Sequence, residues 1–190
     1  MSDKNADPAA PIKITARRLM CDNSKFNIYF DAIQGAGTSV PDYLVLEPKV
    51  TAPGRIAGIC VLPVFADGSI GLLEMYRHPL GAHFLEAARG FVDPGEHAAG
   101  AAARELREET GLVAARIVPL GIVTPEASTI VARVALFAAL DCETAGGRLE
   151  DEPGLGGMQV FSRDEVNAMA ADGRIEDATT LLSLYRYLAL

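Results

Sequence analysis

Apolar and polar positions along this chain alternate with two different periods, and the switches between them mark the elements. Residues 26–33 (Phe26-Asn27-Ile28-Tyr29-Phe30-Asp31-Ala32-Ile33) and 42–47 are rich in β-branched and aromatic side chains. They lie between turn-forming stretches such as Gly35-Ala36-Gly37, so both are expected to be strands. Residues 58–65 and 70–77 flank Ala66-Asp67-Gly68-Ser69 and predict a hairpin. Pro63 has no N–H for a ladder, so its strand should lie at an edge or carry a bulge. Residues 115–122 and 130–140 are apolar enough for buried strands. Helical spacing is found three times. An alanine-rich run, 97–110, follows the turn signal Asp93-Pro94-Gly95 and stops at Gly111, where a left-handed residue would end a helix. Ser162-Arg163-Asp164-Glu165 is a capping box opening a second helix that stops at Gly173. Asp177 caps a third, in which Leu181, Leu182, Leu184, Tyr185 and Leu188 make a core-facing stripe. Strands with helices on both sides predict an α/β protein, an α/β/α sandwich built on a mixed sheet.

Composition narrows the function classes. With 190 residues and 49% hydrophobic content, the chain can bury a core as one domain with a small appendage. Residues 1–12, with Asp7-Pro8-Ala9-Ala10-Pro11, are expected as a loose tail. Residues 13–50 should form a small β region with no core of its own, and residues 51–190 the main domain. A net charge of −8 argues against nucleic acid and anionic membrane as partners. No apolar run reaches the length of a membrane span and no signal-peptide core is evident, which points to the cytoplasm. Cys21, Cys60 and Cys142 have no metal-ligand spacing and are expected to be reduced, buried thiols.

The first helix carries the chemistry. On a wheel of about 100° per residue, Ala99, Ala103, Leu106 and Thr110 fall on an expected core face, with Gly100 and Arg107 pointing away. Glu105, Glu108 and Glu109 share a third sector. A glutamate-rich helix is more often a solvated face laced with ion pairs. Here, however, only Glu108 has a cation one turn away, Arg104, and the helical neighbours of Glu105 include none. Like charges at this spacing cost an isolated helix about 0.2–0.5 kcal/mol per pair. A divalent cation explains the convergence better, and an all-oxygen donor set suits Mg²⁺ or Mn²⁺.

Gly90, then Glu96, then Arg104-Glu105-Leu106-x-Glu108-Glu109-x-Gly111-Leu112 resembles the Nudix box of Nudix hydrolases at every specified position. The resemblance implies hydrolysis of a nucleoside diphosphate linked to a further group, with divalent metal held by Glu105, Glu108 and Glu109. It further implies that Arg104 orients the carboxylates through Glu108, and that Glu96 supports the loop or a weaker outer metal. Phe84-Leu85-Glu86-Ala87-Ala88-Arg89-Gly90 resembles the approach to the box in the ADP-ribose pyrophosphatase branch, with Ala88 and Arg89 replacing a proline and an alanine. In relatives the backbone carbonyl at the position of Arg89 is a metal ligand, and Glu86 is kept. Tyr76-Arg77-His78-Pro79 is similar to a segment of nucleotide-sugar members, which makes Arg77 a candidate phosphate contact. The same branch implies a homodimer that shares or exchanges its N-terminal sheet, with Phe26, Tyr29 or Phe30 stacking a base, although such aromatics more often serve as core. Residues 141–157 form a long acidic stretch with five glycines. In related enzymes the corresponding loop brings a glutamate to the metals as general base. Glu152 is the first candidate here and Glu150 the next.

The function expected from all this is Mg²⁺-dependent cleavage of ADP-ribose or a similar nucleotide sugar into a nucleoside monophosphate and a sugar phosphate. GDP-mannose and diadenosine polyphosphates are alternative substrates. A Nudix module that senses a nucleotide without cleaving it is the rival from another class. An isoprenoid diphosphate isomerase would need a cysteine placed for proton transfer, and Cys60, in a predicted buried strand, is a poor candidate.

Overall fold

The computed structural model describes residues 11–146 and 153–190, which form two compact units. The first holds the chain up to Lys49 together with residues 126–132. Its sheet has the order β1-β2-β3, from β1 (Lys13–Asp22), β2 (Phe26–Gly35) and β3 (Thr38–Pro48), all antiparallel. Asp31, 2% exposed, is held there by two hydrogen bonds from Arg17 at 2.8 and 2.7 Å. A buried carboxylate needs such a partner. Residues 126–132 join this unit through β3: the Leu46 N–H donates to the Thr129 carbonyl at 2.8 Å and the Val131 N–H to the Leu46 carbonyl at 2.9 Å.

The second unit holds Val50–Pro125 and Arg133–Leu190. Its strands are β4 (Ile56–Phe65), β5 (Ile70–Arg77), β6 (Ala82–Glu86), β7 (Ala88–Phe91), β8 (Leu112–Val123), β9 (Arg133–Thr144) and β10 (Leu155–Phe161). The main order is β10-β5-β4-β9-β8, with β6 on β5 and β7 on β4, and only β4–β9 is parallel. Pro63 sits beside a register shift in the β4–β9 ladder, so the proline is accommodated by an irregularity in a central strand.

Helix α1 (Ala98–Thr110) packs on one face of this sheet, and α2 (Arg163–Asp172) and α3 (Ala178–Leu188) pack on the other. The alternation of β4 divides the core accordingly. Ile59 and Val61 pack with Ala101, Ala102 and Leu106 of α1, whereas Cys60, Leu62 and Val64 pack with Val166, Met169 and Leu184 of α2 and α3. The molecule is therefore the expected α/β/α sandwich, with a separate small antiparallel sheet.

Several expectations are corrected. Ala99 and Ala103 are exposed, and the covered face of α1 is Ala101, Ala102, Leu106 and Glu109. Leu106 is covered as expected, but alanines occur all round this helix and mark no side. On α3, Leu184 is buried as expected and Leu181 and Leu182 pack against the core, but Tyr185 is 72% exposed, and Thr179, Thr180 and Ser183 are buried as well. Those hydroxyls can go inside because helix-end acceptors receive them: Thr180 donates to Asp177 Oδ1 at 2.7 Å and Ser183 to the Thr179 carbonyl at 2.8 Å. Strand β8 is only partly covered, since it ends the sheet order. Cys21 is exposed on β1, while Cys60 and Cys142 are buried.

Candidate active site

Strand β7 delivers the glycine of the box into the sheet. It pairs antiparallel with β4, Gly90 opposite Ile59 and Arg89 opposite Cys60, so its backbone is fixed. The Glu105 carboxylate lies directly against the Gly90 backbone, and a Cβ at that position would overlap it. The neighbouring Arg89 N–H donates to Glu109 Oε2 at 3.0 Å, and Glu109 is 4% exposed. Two of the three helix glutamates thus end against one short strand. Gly111 caps the helix in the left-handed conformation at φ 69°, its N–H returning to the Arg107 carbonyl.

Arg104 gathers the rest. Its Nη1 donates to Glu108 Oε2 at 2.7 Å and to Glu105 Oε1 at 2.9 Å. Nε and Nη2 reach the two oxygens of Glu96 at 3.1 Å each, and Nη2 also meets the Phe91 carbonyl at 2.9 Å. The fork ties the loop 91–96 to the helix, and Glu96 closes that loop by accepting from the Asp93 N–H at 3.0 Å. The Glu96 hydrogen bonds hold the guanidinium well above its ordinary range, and the same bonds hold Glu96 below the usual carboxylate range. The expectation that no cation offsets Glu105 is corrected. An arginine is long enough to serve the next residue as well as the one a turn on.

One guanidinium charge faces four carboxylates, those of Glu96, Glu105, Glu108 and, at 3.7 Å, Asp93, and Glu109 stands beside them. As the side chains stand, no three carboxylates, imidazoles or thiols among the described residues converge on a common point. The donor chemistry nevertheless fits an oxygen-preferring divalent cation: clustered carboxylates, a strand backbone beside them, and no sulfur or imidazole in the cluster. The fit rests on Glu105 and Glu109 lying against residues 89–90, with Glu108 one turn away.

A second polar cluster adjoins the first through Arg89. Glu86 is 2% exposed, and its carboxylate takes Arg77 Nη2 at 2.6 Å, Arg77 Nε at 3.0 and 3.2 Å, and Arg89 Nη2 at 2.8 Å. Arg89 Nη1 continues to Asp177 Oδ2 at 2.8 Å. Asp177 caps α3, accepting the Thr180 N–H and the hydroxyls of Thr179 and Thr180 on its other oxygen. Burial alone would raise the Asp177 carboxyl, but the Arg89 charge and these donors outweigh it and hold it below the ordinary range. Arg77, Glu86, Arg89 and Asp177, with Leu80, Phe84, Glu176 and Ala178, line a cleft of about 260 Å³. The sequence marked Asp177 as a helix cap. Its link to Arg89 spans 88 residues and left no local signal.

The remaining candidates lie elsewhere. Glu150 and Glu152 lie outside the described residues. Phe26, Tyr29 and Phe30 are half-buried on β2 of the N-terminal unit, where the Arg17 guanidinium stands 4.9 Å from the centre of the Tyr29 ring. Cys60 packs on the side of the sheet away from α1, and burial pushes its thiol up to about 12. That thiol is inert near neutral pH.

The chain is similar to known proteins in sequence and in fold. The NUDIX domain pattern matches residues 54–183. Over 148 residues the chain is 30% identical to the ADP-sugar pyrophosphatase of Mus musculus, covering 72% of this chain and 68% of that one. A protein of Caenorhabditis elegans assigned to the nudix hydrolases is 49% identical over 49 residues, a match spanning only 22% of that relative. The fold superposes on the crystal structure of an ADP compounds hydrolase with a TM-score of 0.78 at 19% identity, covering 97% of this chain and 96% of that one. The domain match takes in well over half of the chain and includes the whole of the glutamate cluster: the chain belongs to the Nudix hydrolase family.

Proposed function

We propose that this chain is a pyrophosphatase that cleaves ADP-ribose or a similar nucleotide sugar, using Mg²⁺ or Mn²⁺ held by Glu105, Glu108 and Glu109. The observation that carries the reading is the gathering of the box glutamates between Arg104 and residues 89–90. The substrate class is supported by the mouse relative, an ADP-sugar pyrophosphatase.

When bound, the cation would neutralise the diphosphate and make water a better nucleophile near neutral pH. The chain's own groups do the rest. Arg104 spaces the Glu105 and Glu108 carboxylates and, through Glu96, keeps the loop closed over the helix. The Arg89 N–H fixes one oxygen of Glu109, and the Arg89 carbonyl is available on the same strand as a further oxygen donor. Glu86 has no exposed face to offer a ligand. It instead holds Arg77 in one orientation at the cleft, where that guanidinium would meet a phosphate oxygen. A glutamate of the 147–152 segment, Glu152 or else Glu150, would take the proton from the attacking water. Cleavage of the P–O–P bridge gives a nucleoside monophosphate and a sugar phosphate.

The test is a panel of ADP-ribose, GDP-mannose and a diadenosine polyphosphate, with products identified by mass. Chelator should abolish turnover, and Mg²⁺ or Mn²⁺ should restore it. Glu109→Gln should lower kcat about 10³-fold or more, the scale for losing a group that stabilises transition-state charge. The fold should survive, because glutamine still offers an oxygen to the Arg89 N–H. Near-normal turnover in this variant would remove the assignment of the metal site. Ligand recovered intact from single-turnover mixtures would replace the enzyme with a sensor.

A further inference from the structure

Among the described residues, five arginines of this acidic chain are committed to carboxylates: Arg17 to Asp31, Arg77 to Glu86, Arg89 to Glu86 and Asp177, Arg104 to the box, and Arg174 to Asp172. Two that are not, Arg133 and Arg186, line the same open groove of about 580 Å³ with Ile122, Val123, Thr124 and Leu182. Among the described residues, neither guanidinium has a carboxylate partner.

Arg186 has a seat built for it. The β8–β9 ladder shifts register between Pro119 and Gly121, and Gly121 adopts φ +106°. A Cβ there would come within 2.5 Å of Arg186 Nη1. That nitrogen instead donates to the Leu120 carbonyl at 2.9 Å, which fixes the guanidinium at the groove. Arg133 begins β9 and is exposed. Two like charges on one groove repel each other, and a dianion between them would relieve that repulsion. The planar fork of arginine matches phosphate oxygens in pairs. Beside the charges, Ile122 (49% exposed), Val123 and Leu182 provide an apolar wall.

We propose that this groove is a second ligand site, separate from the box and from the cleft at Arg77, that takes an organic phosphomonoester. The phosphate sits between Arg133 and Arg186, and its base or sugar packs on Ile122, Val123 and Leu182. The groove has no carboxylate in its lining, so it needs no cation to accept an anion. In that it differs from both clusters around Arg89.

Calorimetry on the full chain in chelator removes turnover and metal-dependent binding from the signal. The ligands are AMP, ribose 5-phosphate and inorganic phosphate. AMP should saturate one site, most tightly of the three, and weaken as salt is raised. Arg133→Ala, an exposed change, should weaken AMP by about 10-fold or more, the scale of a lost charge-assisted hydrogen bond. Arg186→Lys should weaken it as well while its melting temperature stays with that of the parent. Arg174→Ala, which removes an arginine that lines neither the groove nor the cleft, should leave AMP affinity unchanged. Ribose 5-phosphate binding as tightly as AMP assigns the wall to the sugar and keeps the site. Inorganic phosphate binding as tightly as AMP would overturn the apolar half of the proposal. Absence of saturable binding, or binding lost in Arg77→Ala but kept in Arg133→Ala, would overturn the site altogether.

Discussion

The contact between Gly90 and Glu105 turns a motif position into a steric requirement. Gly90 is held by its pairing with Ile59, and the Glu105 carboxylate occupies the space where a Cβ would stand. Gly90→Ala must therefore displace the carboxylate, because the strand cannot move without breaking the ladder. Misplacing a reacting group by about 1 Å can cost 10²-fold in rate, so a loss of that order in kcat is expected. Overpacking should add about 1–3 kcal/mol of destabilisation, readable by chemical denaturation. Unchanged kcat with a lowered melting temperature would mean that Glu105 is free to hold its ligand from elsewhere. Asp177 sets a second residue-scale expectation, this one in pH. Its folded-state carboxyl lies below the ordinary value, so its contribution to stability is present above the unfolded aspartate value of about 3.9 and is lost as pH falls through the folded value. Asp177→Asn should flatten that part of the acid-unfolding curve. At neutral pH, Asp177→Ala should cost about 1 kcal/mol for the lost cap. An acid limb identical in Asp177→Asn and the parent would place the acid sensitivity elsewhere.

At the scale of elements, what the sequence revealed depended on how local each signal was. Helix α1 was legible from start to stop because a turn, a run of alanines and a left-handed glycine are all written within a few residues. The capping box at Ser162 was equally local, and both of its reciprocal bonds are present. Which side of α1 is buried was not legible, since alanine fits either side and Glu109 reads as polar until its strand partner is known. Strand β1 was hidden for a related reason: all ten of its residues are exposed, and Lys13-Ile14-Thr15-Ala16-Arg17-Arg18 shows no clean alternation. The placement of residues 126–132 with the N-terminal unit and the Arg89–Asp177 bond join positions far apart in sequence, which no window can see. For the glycine-rich segment after β9, chemistry gives the expectation. A base outside the box acts only when substrate and metal are both in place. Glu152→Gln should cut kcat by about 10²–10⁴-fold, with nucleotide affinity and melting temperature little changed, and Glu150→Gln should do less. Normal turnover in both variants would move the base into the box itself, to Glu108.

For the whole molecule, the N-terminal unit poses the question of what completes it. Its edge strand β1 is exposed along its full length and carries Ile14, Leu19 and Met20 at 48%, 57% and 47% exposure. Val40 and Leu44 of β3 add to the exposed apolar surface of the same sheet. Among the described residues, β2 is the strand that pairs with β1, and an edge strand of ten residues is a template for a further strand. A three-stranded sheet is also near the lower limit of independent stability. A second copy of this chain supplies the same edge and the same apolar side chains, and a two-fold axis would let each cover the other. We therefore expect a homodimer in which the N-terminal β region forms part of the interface. Light scattering on the full chain should give twice the mass of 20.1 kDa. Replacing Ile14 and Leu19 together by lysine should shift the population to monomer with little change in far-UV circular dichroism, because both side chains are exposed within one copy. Removing residues 1–50 should have the same effect on mass. A monomeric full chain at micromolar concentration would end the proposal, whereas a dimer that persists in the double lysine variant would keep the assembly but move its interface off β1.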